Sequence, residues 1–245
     1  MNSRLVRIGI IGTVVALVCA AAIVSGGAAA ILKYQREMVH LSRQHIMLVL
    51  YSGGPAIVVG IVLGIALTRR SLRRICEPVM QILSVATAIP TLAIIALAMM
   101  ALGVGKAPAL VALFLHALLP IVRNTVEGLR QLPPAEFECA QGMGMTPAQT
   151  LFLVELPEAL PIIAQGVRVA LVINVGVAPL AFLVGGGGLG DLIFGGIDLF
   201  EPAMMLAGAI PTAALAVTLD FLLSRLTKLL VSPGIRNDDA IVAQP

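Results

Sequence analysis

The chain has 245 residues, of which 59% are hydrophobic and only 12% charged, with a mean hydropathy of +1.02, whereas a soluble domain holds about 45–50% apolar and about 25% charged residues. A net charge of +3 does not argue for nucleic acid: that reading needs a basic face with stacking aromatics, and here Trp is absent and aromatics make up 4%. Cys19, Cys76 and Cys139 form neither a CxxC pair nor an even set, which excludes a disulfide framework and a thiolate metal motif.

A membrane span needs about 20 mainly apolar residues, because the hydrocarbon core is about 30 Å thick and a helix rises about 1.5 Å per residue. Residues 8–32 form the first such run, preceded by Arg4 and Arg7 and followed by Lys33 and Arg36. Its rival is a secretory signal peptide with a small-residue site at 25–30; the run is long for that, so an uncleaved span is expected. Either reading puts the residue-33 end outside. The following segment, 33–43, is read as outer and as an interfacial helix.

Residues 46–67 make span two, which runs into the densest basic cluster, Arg69, Arg70, Arg73 and Arg74. Span three covers 82–102, a Gly- and Pro-containing turn covers 103–108, and span four covers 109–122. The more polar stretch 124–158 holds Pro133, Pro134, Gly142, Gly144, Pro147 and Pro157, so short broken helices are expected there. Span five is 162–184, a Gly-rich outer loop covers 185–202, and span six is 203–223. Lys33, Arg36, Arg43 and Lys106 then fall outside and the other basic residues inside or at the inner third of a helix. That asymmetry predicts both termini in the cytoplasm.

The loop carries the strongest local signals. Pro133 and Pro134 suit a helix start, Gly142 and Gly144 stop it, and Thr146, Pro147 and Gln149 read as N-cap, N1 proline and capping-box glutamine. Two short helices joined by a Gly turn predict a compact knob. Its Phe137, Met143 and Met145 suit docking into a partner's groove; the alternative is apolar residues folded back on the bundle. No Gly-x-x-x-x-Gly-Lys-Ser/Thr occurs, so any ATP hydrolysis belongs to another chain.

Within this loop Glu138, Cys139, Ala140, Gly144, Val154, Leu156 and Pro157 fall in the register of Glu-Ala-Ala, three residues, Gly, nine residues, an aliphatic, one residue, Leu-Pro. The segment resembles the coupling loop of ABC importer permeases, with Cys139 in place of the middle alanine. The likeness extends over residues 50–230. Residues 88–93, 118–125 and 185–194 resemble the subfamily that imports glycine betaine, choline, carnitine and related osmoprotectants, with departures at Gln141, Pro179 and Gly195.

The resemblance implies an all-α polytopic membrane helix bundle: six transmembrane helices with a type I ABC importer permease core, in the bacterial inner membrane. The hydropathy reading adds an N-terminal helix and outer segment over 1–44 and a polar cytoplasmic tail over 231–245, and the resemblance implies a core over 45–230 with its coupling loop at 124–160. It implies a cytoplasmic ATP-binding subunit docked on Glu138, Cys139, Ala140, Gly142, Gly144, Leu156 and Pro157. A second permease subunit, identical or paralogous, and an external substrate-binding protein complete the set. No cofactor, metal, nucleic acid or enzymatic activity of the chain itself is expected. An aromatic cage would suit a quaternary ammonium; with no Trp and two Tyr, selectivity is assigned to the binding protein.

For the pathway or gate the expected residues are Asn174, a polar group near mid-depth of span five, and the run Gly185, Gly186, Gly187, Gly188 and Gly190 at its mouth. The alternative for that run is a flexible outer turn. Irregular backbone at membrane depth survives only where it lines protein or water. Arg168 and Asp220 are read as snorkelling to the inner interface, and His116 as a satisfied packing residue. An ion-coupled transporter would need titratable groups at mid-membrane, and none is found.

Overall fold

A computed structural model describes residues 27–231. Most of the first predicted span, the signal-peptide alternative, Cys19 and nearly all of the tail lie outside them. Helix α1 (Gly27–Thr68) runs for 42 residues with a single non-helical residue, Tyr34. It therefore absorbs the segment 33–43, expected as a separate interfacial helix, into span two. No Gly or Pro lies between residues 27 and 53 to stop it, and Leu41, His45, Leu48, Ser52 and Ala56 bury one face at helical spacing.

Helices α2 (Arg73–Ala88) and α3 (Thr91–Leu102) replace the straight third span, bent against each other by 93°. Pro90 is the cause: it disfavours helical backbone at the preceding Ile89, which is extended at φ −69° and ψ 129°. Helix α4 (Lys106–Arg130) continues well past the predicted end of span four.

After α5 (Pro134–Gly142), α6 (Pro147–Thr150) passes through one π-helical turn (Leu151–Glu155) into α7 (Leu156–Val177) and a 3₁₀ end (Ala178–Val184). The second short helix of the expected knob is thus the first turn of a 38-residue helical rod over Pro147–Val184. Pro157 supplies a reason for the π turn: it lacks the N–H that Leu153 would receive, and Leu156 instead donates five residues back to Leu151. The Gly-rich loop holds a further helix, α8 (Gly190–Asp198), before α9 (Pro202–Leu230).

Among the described residues four helices are long and apolar enough to cross a membrane, or five if the bent α2–α3 pair is one span. Of the six predicted spans the first lies mostly outside the described residues, and the third is the one that the structure bends.

The core lies where α1 and α7 embrace α4. Ala56, Gly60 and Gly64 recur every four residues on α1 against Ile121 and Thr125 of α4. A Cβ at Gly60 would lie 2.7 Å from Ile121 Cγ2 and one at Gly64 2.5 Å from Thr125 Cβ, so both positions admit only glycine without a shift. Small residues at this spacing let helix backbones approach in lipid, where dispersion replaces the hydrophobic drive. On the other side Gly128 of α4 faces Ala159 and Ile162 of α7, and Gly166 of α7 faces Pro120 and Asn124 of α4. Helix α9 buries only Ala207, Gly208 and Thr212, leaving Val217, Phe221, Leu222 and Leu229 exposed.

Candidate functional site

The knob is built as its sequence requires. Pro133 caps α5 and Pro134 fills its first position; the helix ends where Met143 donates to Cys139 O (3.0 Å) and Gly144 adopts the left-handed region at φ 72°. Thr146 then accepts from Gln149 N (3.3 Å) while Gln149 Oε1 accepts from Thr146 N (2.8 Å), the expected capping box.

The two faces of the knob differ. Ala140 is fully buried, and Phe137 packs on the cluster of Leu129, Leu132, Ala159 and Ile163, with Leu156 beside it. Glu138, Cys139, Gly142, Met143 and Gly144 are exposed. Of the apolar residues expected to dock, only Met143 is presented, at 68% exposure, while Phe137 and Met145 turn back towards the bundle. Phe152 and Leu153, just beyond, are 65% exposed each. Their apolar character was legible, but their exposure was not.

Sequence reading also missed the ion pair beneath the knob. Glu155, the unspecified residue of the loop pattern, is 5% exposed. Both its oxygens accept from Arg69, which also donates to Ile65 O and Thr68 Oγ1. This bidentate pair ties the end of α1 to the entry of α7. It forms one wall of a cavity of about 530 Å³ lined by Arg70, Arg73, Arg130, Phe137 and Gln141. Arg130 meets Glu77 of α2 at 3.2 Å, an exposed pair of little energetic weight.

At the opposite end α7 gives way to the glycine run. Gly105 N donates to Val184 O (2.7 Å), Gly186 N to Ala181 O (2.8 Å), and Gly188 N to Gln44 Oε1 of α1 (3.1 Å). Gly186, Gly188 and Gly190 are buried, and a Cβ at Gly190 would overlap the backbone carbonyl of Pro179. This is a packed corner tied to α1, unlike the flexible turn that composition allowed. Beside it burial pushes the Asp191 carboxyl above its ordinary value. Glu201 is held below its own by the Lys33 ammonium, its ion-pair partner.

Asn174 is fully buried, with Nδ2 donating to Ser52 Oγ of α1 at 3.2 Å and Oδ1 without a partner among the described residues. Arg168 and Asp220 form an ion pair that the sequence reading did not specify: Nε and Nη2 donate to the two carboxylate oxygens at 2.6 and 2.7 Å, joining α7 to α9. His116 departs from expectation too, since its buried Nδ1 has no partner among the described residues.

Residues 56–232 match the family model described as "Binding-protein-dependent transport system inner membrane component", over more than half of the chain. The chain belongs to this family. The permease is 48% identical over 190 residues to the osmoprotectant import permease protein OsmY of Salmonella typhimurium, covering 78% of this chain and 80% of that one. It is 38% identical over 200 residues to the choline transport system permease protein OpuBB of Bacillus subtilis, covering 82% and 91%. Among solved structures it resembles a chain of the MetNI methionine ABC transporter in an inward-facing conformation. There the TM-score is 0.72 at 23% identity, over 82% of this chain and 99% of that chain, a likeness of fold.

Proposed function

We propose that this permease forms the translocation pathway for a small osmoprotectant such as glycine betaine or choline within an ATP-driven importer. The observation that carries the substrate class is the 48% identity to an osmoprotectant permease, joined by relatives named for choline and for carnitine. A second reading, transport of another small solute such as an amino acid, draws only on the fold shared with a methionine transporter.

ATP hydrolysis is assigned to a separate cytoplasmic subunit that docks on Glu138, Cys139, Gly142, Gly144 and Met143. Ala140, Leu156 and Pro157 serve the same loop from within, as the base that fixes the knob. A second permease, identical or paralogous, is assigned to the apolar and largely unburied α9 side, and an external binding protein to the glycine-run end. The knob end then faces the cytoplasm with both termini, which agrees with the basic cluster at 69–74.

The domain division at 1–44, 45–230 and 231–245 is kept, with α1 crossing the first boundary. Gly185, Gly186, Gly187, Gly188 and Gly190, together with Asn174, are proposed as the gate region. What supports this is a break in helical backbone at the end of a span, sealed by polar contacts to α1. Closure of the ATPases would rock one permease against the other through the knob.

Two measurements test the proposal. Pull-down of the permease with its ATPase should fail for Glu138→Arg and Gly144→Asp proteins that insert normally, and binding unchanged in both would remove the coupling role of the knob. Uptake by cells carrying the system at high osmolarity should favour labelled glycine betaine or choline; uptake of methionine alone would select the second reading.

A further inference from the structure

The end of α7 carries a backbone fault: one carbonyl loses its regular donor four residues on. In an α-helix the carbonyl of residue i receives the N–H of residue i+4. Pro179 has no N–H, so the Val175 carbonyl loses that donor, in a part of the chain where lipid offers no substitute. The last regular bond, Ala178 N to Asn174 O, is made, and beyond it the backbone tightens into the 3₁₀ turn.

Helix α1 supplies what is missing. His45 is fully buried, and its Nε2 lies 3.0 Å from the Val175 oxygen, 130 positions along the chain. A carbonyl can only accept, so Nε2 carries the hydrogen and the neutral ring leaves Nδ1 as a bare acceptor. Nδ1 has no partner among the described residues. The glycine run closes over the ring: a Cβ at Gly188 would come within 3.6 Å of Nδ1, and the neighbouring Gln44 holds Gly188 N.

We infer that His45 is a positioning residue, the external donor for the Val175 carbonyl orphaned by Pro179, and that it fixes the angle at which α7 passes into the glycine run. The two residues form a functional pair across α1 and α7: the histidine is required because the proline is there. This inference concerns the junction itself and holds whichever solute the permease carries.

A double-mutant cycle on the purified full chain tests it, read by thermal unfolding and by amide hydrogen exchange over residues 176–190. His45→Leu, of similar bulk, should lower the unfolding midpoint by about 2–4 °C, the size expected for one interhelical hydrogen bond in a chain of this length. It should also speed exchange across the junction. Pro179→Ala restores the N–H, so on that background His45→Leu should cost less than half as much and leave exchange slow. His45→Gln, whose amide nitrogen can replace Nε2, should exchange like the unmodified protein. An equal cost of His45→Leu on both backgrounds, or a His45→Gln protein that behaves like His45→Leu, overturns the pairing. If His45→Leu alone does not fold, recovery in the Pro179→Ala double variant sustains the inference and failure to recover ends it.

Discussion

Two glycine turns end helices in this chain, and they use glycine for opposite reasons. At the knob, nothing lies within 4 Å of a Cβ placed on Gly142 or Gly144, and only the left-handed φ of Gly144 asks for glycine. At the end of α7 several glycines are needed for space as well, crowded by Ala181, Gln44 and Pro179. The first turn leaves its surface exposed, whereas the second spends its surface on its own α1. Glycine content alone therefore does not tell an open turn from a packed corner; the space around each glycine does.

The largest effect should come from the crowded turn. Gly190→Ala would drive a methyl group into the backbone of Pro179, with no flexible side chain to give way; we expect a loss of about 3 kcal/mol or more, or failure to obtain monodisperse protein in detergent. Normal yield and melting would mean that the corner is looser than its packing. Next, Arg69→Ala strands the buried Glu155 carboxylate and should cost about 2–3 kcal/mol, discounted because Arg69 is about one-third exposed. The double variant Arg69→Met with Glu155→Gln should regain most of that loss in the same melting measurement.

The open turn should respond more weakly. Gly144→Ala meets no neighbour and pays only for its left-handed backbone, about 1–2 kcal/mol, with ATPase capture retained. Gly142→Ala, helical and unobstructed, should gain about 0.5–1 kcal/mol. A smaller and pH-dependent effect belongs to Asp191. Burial raises its carboxyl above 3.8 in the folded chain, so stability falls as pH rises from that ordinary value through the raised one. Asp191→Asn should flatten this part of the melting curve against pH, and an unchanged slope would assign it elsewhere.

Local chemistry explains why the knob was legible and the opposite corner was not. Pro133, Gly144 and the Thr146–Gln149 box act within a few residues of themselves, so sequence order is enough to place them. The 93° bend followed from Pro90 by the same logic, yet the apolar run through it imitated a straight span. The run of α1 from Gln35 to Thr68 was misread because Arg36 and Arg43 suggested a boundary that charge alone cannot impose on a helix without a breaker. Asn174, His45, Arg69 and Glu155 find partners 86 to 130 positions away, and no spacing rule reaches that far. One trace existed: Glu155 is an acid set among Leu151, Phe152, Leu153, Val154 and Leu156, where an unpaired charge would be costly.

Helix α1 reaches the glycine run through Gln44 and, through Arg69 just past Thr68, the π turn beneath the knob. The axial distance from Gln44 to Thr68 is about 36 Å at the usual rise, and a helix resists stretching because every residue would have to lengthen its bond. Such an element works as a connecting rod: it holds the Glu155 pair and the glycine run a fixed length apart and leaves only its direction open to change. The direction can change at Pro55, where the rod lacks one backbone bond. One helix of a single subunit thus holds these two contacts at a set spacing, before any partner is added.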